Sequence, residues 1–246
     1  MHPEPPATGL HIERAGVERA AGRKPMEKTQ DVLAVVRAKN LDGLKRLLES
    51  DPGLVDARGE DGVQAVLAAL YVDARECAEL LIARGATLDV FSAAGAGDVA
   101  TLARRLDEDP RSLNAFASDG WTPLHLAAFF GRPEAARLLL DRGADLHAIS
   151  KNPTANTPLH AAAVRGHLAL VELLGARGAE LSRPGGGGWT PLHLAAGSGH
   201  EAVVSFLIGR GADLEAREAG GRTPLGVAAG THHDRIVKLI RAAGGA

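Results

Sequence analysis

Three histidines occupy corresponding places in short, similar stretches, and histidine can act as a general base or as a metal ligand. They are His125, His160 and His193, each in a T-P-L-H segment. A shared metal ion would need their ring nitrogens within roughly 3–4 Å of one another, because each nitrogen lies about 2 Å from the ion. Neighbouring helices pack about 8–10 Å apart, so equivalent residues of stacked helices are too distant for that. We therefore predict a structural role for these histidines and no metal site.

Other residues that could do chemistry also have a structural explanation. The sequence contains neither a G-x-x-x-x-G-K-[ST] phosphate loop nor a G-x-S-x-G nucleophile motif. The run "GGGG" at 185–188 lacks the lysine of a phosphate loop, and we predict a flexible hairpin tip there. Cys77 lies on an apolar helical stripe, which favours buried packing. Turn and capping roles are predicted for His167, His200 and His233. The sequence thus predicts no catalytic residue, no cofactor and no metal.

The T-P-L-H segments belong to a longer repeat. Its threonines are Thr122, Thr157, Thr190 and Thr223, in steps of 35, 33 and 33 residues. Each threonine can cap a helix, and the proline after it sits where a missing N–H is harmless. A second apolar run follows and ends at a glycine, the residue favoured just beyond a helix C-terminus. A fixed period near 33 with this pattern predicts stacked pairs of antiparallel helices.

The pattern G-x-T-P-L-H-x-A-A-x-x-G, followed by an apolar run and G-A-D, resembles the ankyrin repeat family of bacterial type over residues 119–246. The resemblance implies an all-α solenoid of helix-turn-helix repeats with short β-hairpin loops. It also implies that the T-P-L-H histidines hydrogen-bond between adjacent turn regions. Gly226 replaces the histidine in the last repeat, which has no successor to contact.

The upstream half contains degenerate repeats. Residues 31–88 align with residues 89–146 at a shift of 58, which adds three repeats and makes seven. We predict a single repeat domain over residues 31–246, after a disordered tail at 1–30. The predicted repeats are 31–60, 61–88, 89–118, 119–153, 154–186, 187–219 and 220–246. The step from Gln64 to Leu88 is only 24 residues, so the hairpin after Gly85 is predicted to be missing.

Aromatic residues are rare, at 3% of the chain, and several occupy positions where the repeat pattern sets no residue type. The resemblance places the ends of the first helices on a concave binding surface, and aromatics and arginines on such a surface are common binding anchors. The loop "AISKNPTAN" is two residues longer than its neighbours and should project beside them. The alternative is that the tryptophans pack on neighbouring hairpins and one phenylalanine joins the core. The predicted partner-binding residues are Tyr71, Trp121, Phe129, Phe130, Lys151, Asn152, Arg165 and Trp189.

The composition restricts the partner. The net charge is −2 with both signs spread along the chain, which disfavours nucleic acid and membrane surfaces. We therefore predict a cytoplasmic, monomeric, non-catalytic scaffold that binds another protein through its concave face and hairpin tips. One alternative is a regulatory or protective subunit of a co-encoded enzyme or toxin. Two others are a host-directed effector and an enzyme with an unrecognised site.

Overall fold

The computed structural model describes residues 25–245, which contain seven pairs of α-helices. The first helices of the pairs are α1 (Pro25–Arg37), α3 (Ala65–Tyr71), α5 (Val90–Ala96), α7 (Pro123–Phe129), α9 (Pro158–Val164), α11 (Pro191–Gly197) and α13 (Pro224–Gly230). The second helices are α2 (Leu41–Ser50), α4 (Arg75–Ala83), α6 (Val99–Glu108), α8 (Pro133–Asp141), α10 (Leu168–Ala176), α12 (Glu201–Gly209) and α14 (Asp234–Ala242). The all-α repeat architecture predicted from the sequence is confirmed.

The chain forms two compact units. The first ends at Ala86 and contains α1 to α4, and the second begins at Thr87 and contains α5 to α14. Within the second unit each first helix packs on the next first helix, and each second helix packs on the next second helix. The one-domain organisation of residues 31–246 stays a prediction.

Small buried residues allow the first helices to approach closely. In α7, Leu124, Leu126, Ala127 and Ala128 are at most 1% exposed. The second helices supply larger apolar side chains, such as the fully buried Leu139 of α8. Leucine burial on this scale stabilises the fold by about 1.5–3 kcal/mol per side chain relative to exposure. The core of each repeat therefore needs its neighbours, since neither helix of a pair can bury this face alone.

A left-handed residue separates the two helices of every pair. Glycine fills this position in α5–α6 through α11–α12, for example Gly131 with φ of 70°. The other three pairs have Lys39, Asp73 and His232 there, with φ of 53°, 52° and 60°. The sharp turn between the helices therefore persists where the glycine pattern is lost, because the packing of both helices fixes the backbone.

The loops between pairs are hairpins without strands. One backbone bond closes each of these loops in the second unit, as between the Ala117 N–H and the Trp121 carbonyl at 2.8 Å. Another links neighbouring loops, as between the Lys151 N–H and the Gly120 carbonyl at 2.8 Å. Within the described residues the only β-type pairing is an isolated antiparallel bridge between Arg58 and Gln64. The predicted β-hairpin loops are thus hairpin turns that are too short to form strands.

The short connection after Gly85 is confirmed. Helix α4 ends at Ala83 and α5 begins at Val90, and no strand forms in residues 84–89. In two other loops a 3₁₀ turn precedes the hairpin turn, Pro52–Asp56 and Pro110–Asn114, at corresponding places of the aligned halves.

The start of the repeats differs from the sequence prediction. Helix α1 begins at Pro25, so residues 25–30 are helical and the predicted boundary at residue 31 is six residues late. The 58-residue alignment begins at residue 31 and gives no signal for the extra turns, which open on a proline at the favoured first position. The rest of the predicted tail, residues 1–24, lies outside the described residues.

Candidate functional site

The T-P-L-H histidines link each repeat to the next. In His125, Nδ1 lies 2.8 Å from Thr122 Oγ1, and Nε2 lies 2.8 Å from the carbonyl oxygen of Asn156 in the following repeat. The same two contacts recur for His160, which lies 2.8 Å from Thr157 Oγ1 and 3.1 Å from the Trp189 carbonyl oxygen. They recur again for His193, which lies 2.8 Å from Thr190 Oγ1 and 3.0 Å from the Arg222 carbonyl oxygen. The structural role predicted for all three histidines is confirmed.

These contacts fix the protonation of the rings. A carbonyl oxygen only accepts, so Nε2 donates to it and Nδ1 accepts from the threonine hydroxyl. All three rings are fully buried, and burial lowers the pKa of His125 and of His160 to about 4. The pKa of His193 is lowered for the same reason. A neutral ring with both nitrogens engaged cannot serve as a general base or hold a metal ion.

A second row of side chains links the repeats in the opposite direction. Nε2 of His167 donates to the Phe129 carbonyl at 3.0 Å, and Nε2 of His200 donates to the Val164 carbonyl at 3.0 Å. His233 does the same to Gly197 at 3.2 Å, and Nε of Arg132 to Gly95 at 2.9 Å. The sequence had suggested that the three histidines cap their own helices. These donors instead satisfy carbonyls at the ends of the preceding first helices. The sequence analysis missed Arg132, although it stands 35 residues before His167 and so occupies the same place.

The two rows hold the ends of the first helices, where the predicted binding residues lie. Phe129 is the last residue of α7 and Phe130 its C-cap, while Arg165 is the C-cap of α9. Trp121 comes directly before the Thr122 N-cap of α7. Each of these four side chains is thus attached to a helix end whose backbone is fixed by neighbouring repeats.

Four of the eight predicted residues form one contact group, which we call the aromatic–arginine cluster: Trp121, Phe129, Phe130 and Arg165. The ring centroids of Trp121 and Phe129 are 4.8 Å apart at 82°, and those of Phe129 and Phe130 are 5.1 Å apart at 85°. The Arg165 guanidinium carbon lies 5.0 Å from the Phe129 centroid. Edge-to-face rings and a cation over a ring are favourable geometries. The three aromatic side chains are half-buried and Arg165 is exposed. The cluster therefore lies at the surface with its rings partly covered by one another and by the fold.

Trp189, Lys151 and Asn152 make contacts outside the cluster. Trp189 contacts His193 and the Arg222 guanidinium, whose carbon is 5.6 Å from the Trp189 centroid. Tyr71 is 37% exposed and belongs to the first unit, at the end of α3.

The long loop does not present both of its predicted residues. Lys151 is exposed, with Nζ 4.1 Å from the centroid of Phe116, a ring that the sequence analysis had not selected. Asn152 is half-buried, and its amide donates to the Asp119 carbonyl at 3.1 Å and accepts from Ser150 Oγ at 2.9 Å. The Asn152 side chain therefore holds the loop together and does not project from it.

The single cysteine of the chain is buried. Cys77 is 2% exposed in α4, and burial raises the pKa of its thiol, as does the charge of Glu76. This environment disfavours the thiolate that a nucleophilic cysteine needs. Within residues 25–245, no three His, Cys, Asp or Glu side chains are grouped as metal ligands would be, and no helix is long and apolar enough to cross a membrane.

Comparison with known proteins gives the family and two local relatives. A segment of 59 residues, 24% of this chain, is 39% identical to the NAD-capped RNA hydrolase NUDT12 of Homo sapiens and spans 13% of that protein. A segment of 67 residues, 27% of this chain, is 40% identical to protein phosphatase 1 regulatory subunit 12A of Mus musculus and spans 6% of that protein. A family model described as ankyrin repeats in three copies matches residues 32–148, 90–185 and 179–246. Because these matches cover nearly the whole chain, it belongs to the ankyrin repeat family.

Proposed function

We propose that this chain is a non-catalytic scaffold that binds another protein, and that the aromatic–arginine cluster is the centre of its binding surface. Ankyrin repeats are protein interaction modules, which supports the general function. The observation that supports the location is the partial exposure of three aromatic rings in mutual contact beside an exposed arginine. Tryptophan, phenylalanine and arginine in such a group supply most of the binding energy in many interfaces.

Preorganisation is the mechanism. The cluster is held between helix ends that the two rows of buried hydrogen bonds fix to adjacent repeats. A surface that is already ordered loses little conformational entropy when a partner binds. In this proposal the chain acts as a cytoplasmic monomer, and the hairpin loops beside the cluster add contacts. Neither nucleic acid nor a membrane takes part.

A second candidate function is regulation of an enzyme or protection against a toxin encoded nearby. The local similarity to a protein whose name is regulatory subunit 12A of a phosphatase favours this candidate. This candidate requires the same binding to a partner protein, but here the binding changes the activity of that partner. The identity of the captured partner distinguishes a regulator from a free adaptor, because a regulator would change the activity of an enzyme bound to it.

The proposal predicts that Phe129→Ala and Phe130→Ala each weaken partner binding by about 2 kcal/mol, or about 30-fold. The partner is first captured from the native organism with the wild-type chain and then purified. Its affinity for each variant is measured by calorimetry, together with the thermal unfolding of the variant. We expect the affinity to fall while most of the stability remains, because both rings are only half-buried.

Phe206→Ala is the matched control. Phe206 is also half-buried and also lies beside an arginine, with the Arg210 carbon 5.1 Å from its centroid, but it belongs to the second helix α12. Its loss should leave the affinity unchanged. Unchanged affinity in both Phe129→Ala and Phe130→Ala would refute the assignment, as would a loss of affinity that only follows loss of the fold.

A further inference from the structure

The exposed cation of the aromatic–arginine cluster has no counter-ion among the residues that the structure describes. Arg165 makes no ion pair or hydrogen bond with a carboxylate in residues 25–245, and its guanidinium lies over the Phe129 ring. Two arginines at the ends of second helices differ in this respect. Arg142 lies 2.7 Å from an Asp107 oxygen, and Arg177 lies 3.0 Å from an Asp141 oxygen, each in the preceding repeat.

A second arginine lies in the same region as Arg165. Burial is the main cause that lowers the pKa of His167, and the charges of Arg165 and Arg132 lower it further. In the loop before the cluster, the carboxylate of Asp119 accepts the Trp121 backbone N–H at 3.0 Å and so orders its own loop. It forms no ion pair with Arg165.

Stacking on Phe129 restrains the guanidinium without using its N–H donors. A guanidinium stacked on a ring presents its N–H groups at the edge of the plane, where a carboxylate can accept two of them. Trp121 and Phe130 each contact the Phe129 ring, and these half-buried side chains offer apolar area near that charge. A ligand that matches both features must carry a negative charge and an apolar group close together.

We propose that the cluster recognises a segment of a partner protein that places an aspartate or glutamate beside an aliphatic or aromatic side chain. The carboxylate accepts from the Arg165 guanidinium, and the apolar side chain packs against Phe130 and Trp121. This inference rests on the proposed function and specifies the partner's chemistry. Shape and apolar area give the affinity, and the carboxylate gives the selectivity.

The test uses a display library of random 12-residue peptides selected on the full-length wild-type chain. We expect enrichment of acidic residues next to Leu, Ile, Phe, Tyr or Trp. A synthetic peptide made from the enriched sequence should bind Arg165→Gln about 10-fold to 100-fold more weakly than wild type, the range for hydrogen bonds to a charged group. Selection on Arg165→Glu should instead enrich Lys or Arg at the former acidic position.

Arg210→Gln is the matched control, because Arg210 also lies over a phenylalanine ring but is the C-cap of the second helix α12. It should bind the peptide as wild type does. If the peptides depend on Phe129 and Phe130 but show no acidic preference, or bind Arg165→Gln equally well, the recognition proposed here is wrong and the binding surface stands. If they are insensitive to every cluster variant, both the recognition and the proposed binding surface are wrong.

Discussion

Lowering the pH from about 6.5 to 4 is expected to remove about 3 kcal/mol of unfolding free energy for each of His125 and His160. Burial lowers the folded-state pKa of each ring to about 4, from an ordinary value of 6.5. In this range the unfolded chain binds the protons and the folded chain does not, so stability falls as the pH falls. His193 acts in the same direction, since its pKa is also lowered. A domain stable by about 5–15 kcal/mol would lose a large part of that margin.

Charged neighbours partly oppose this effect at His125 and add to it at His160, where the charge of Arg183 lowers the pKa further. Asp119 and Asp145 raise the pKa of His125, but burial lowers it more. Glu218 is a carboxylate that acts at lower pH. Backbone N–H groups and Arg222 hold its pKa at about 2, so the stability that it contributes is lost as the pH falls below its ordinary value of 4.5. The loss of stability expected between pH 6.5 and 4.5 is therefore assigned to the buried histidines and not to Glu218.

The measurement is urea unfolding of the full chain at several pH values from 7 to 4.5. Tryptophan fluorescence follows the second unit, since Trp121 and Trp189 both belong to it and are the only tryptophans of the chain. His125→Gln serves as the control, because glutamine does not titrate. This variant should be less stable at pH 7 and should show a smaller slope with pH. An unfolding free energy that stays constant from pH 7 to 4.5 would contradict the buried neutral rings.

Gly166→Ala is expected to destabilise the fold by about 2–4 kcal/mol, from two causes. Gly166 has φ of 73°, which an alanine adopts only with strain. A Cβ at this position would also lie 2.5 Å from Nδ1 of His200, so the ring would have to leave the Val164 carbonyl that it binds. The first cause contributes about 1–2 kcal/mol and the displaced hydrogen bond the remainder.

A matched glycine separates the two causes. Gly178 has φ of 93°, but a Cβ there meets nothing within 4 Å. Gly178→Ala should therefore show the backbone effect alone. In a His200→Ala background, Gly166→Ala should lower the unfolding free energy by no more than Gly178→Ala does. Chemical unfolding of the three single variants and of the Gly166→Ala/His200→Ala double variant measures this. If the cost of Gly166→Ala is the same with and without His200, the second row of hydrogen bonds does not depend on this close approach.

The periodic part of the fold could be predicted because each repeat solves the same packing problem. The T-P-L-H histidines, with the threonines that they contact, recur at the same place, and their roles followed from that recurrence. Arg132 escaped notice because it performs the histidine function with a different side chain. An interaction that needs only an N–H donor of sufficient reach leaves no fixed residue type in the sequence.

Interactions between loops could not be predicted from composition. The glycines at 185–188 suggested a flexible tip, but this expectation is wrong. A Cβ on Gly186 would lie 2.6 Å from the Pro153 carbonyl oxygen, so glycine is needed there for close packing of two loops. The sequence also grouped Trp189 with Trp121 because both precede T-P, whereas only Trp121 contacts the phenylalanine pair. Side-chain direction within a loop depends on the neighbouring loop, and a repeat pattern does not encode it.

The central claim is that a partner protein binds at Trp121 and the residues in contact with it. The most direct test is ¹⁹F NMR of the chain labelled with 5-fluorotryptophan, which has one resonance for each of its two tryptophans. Trp121→Phe and Trp189→Phe assign the two signals, and the purified partner is then added to the labelled wild type. The Trp121 resonance should shift or broaden in the complex, with a smaller change at Trp189. A complex that forms, as judged by sedimentation, while the Trp121 resonance is unchanged would contradict the claim.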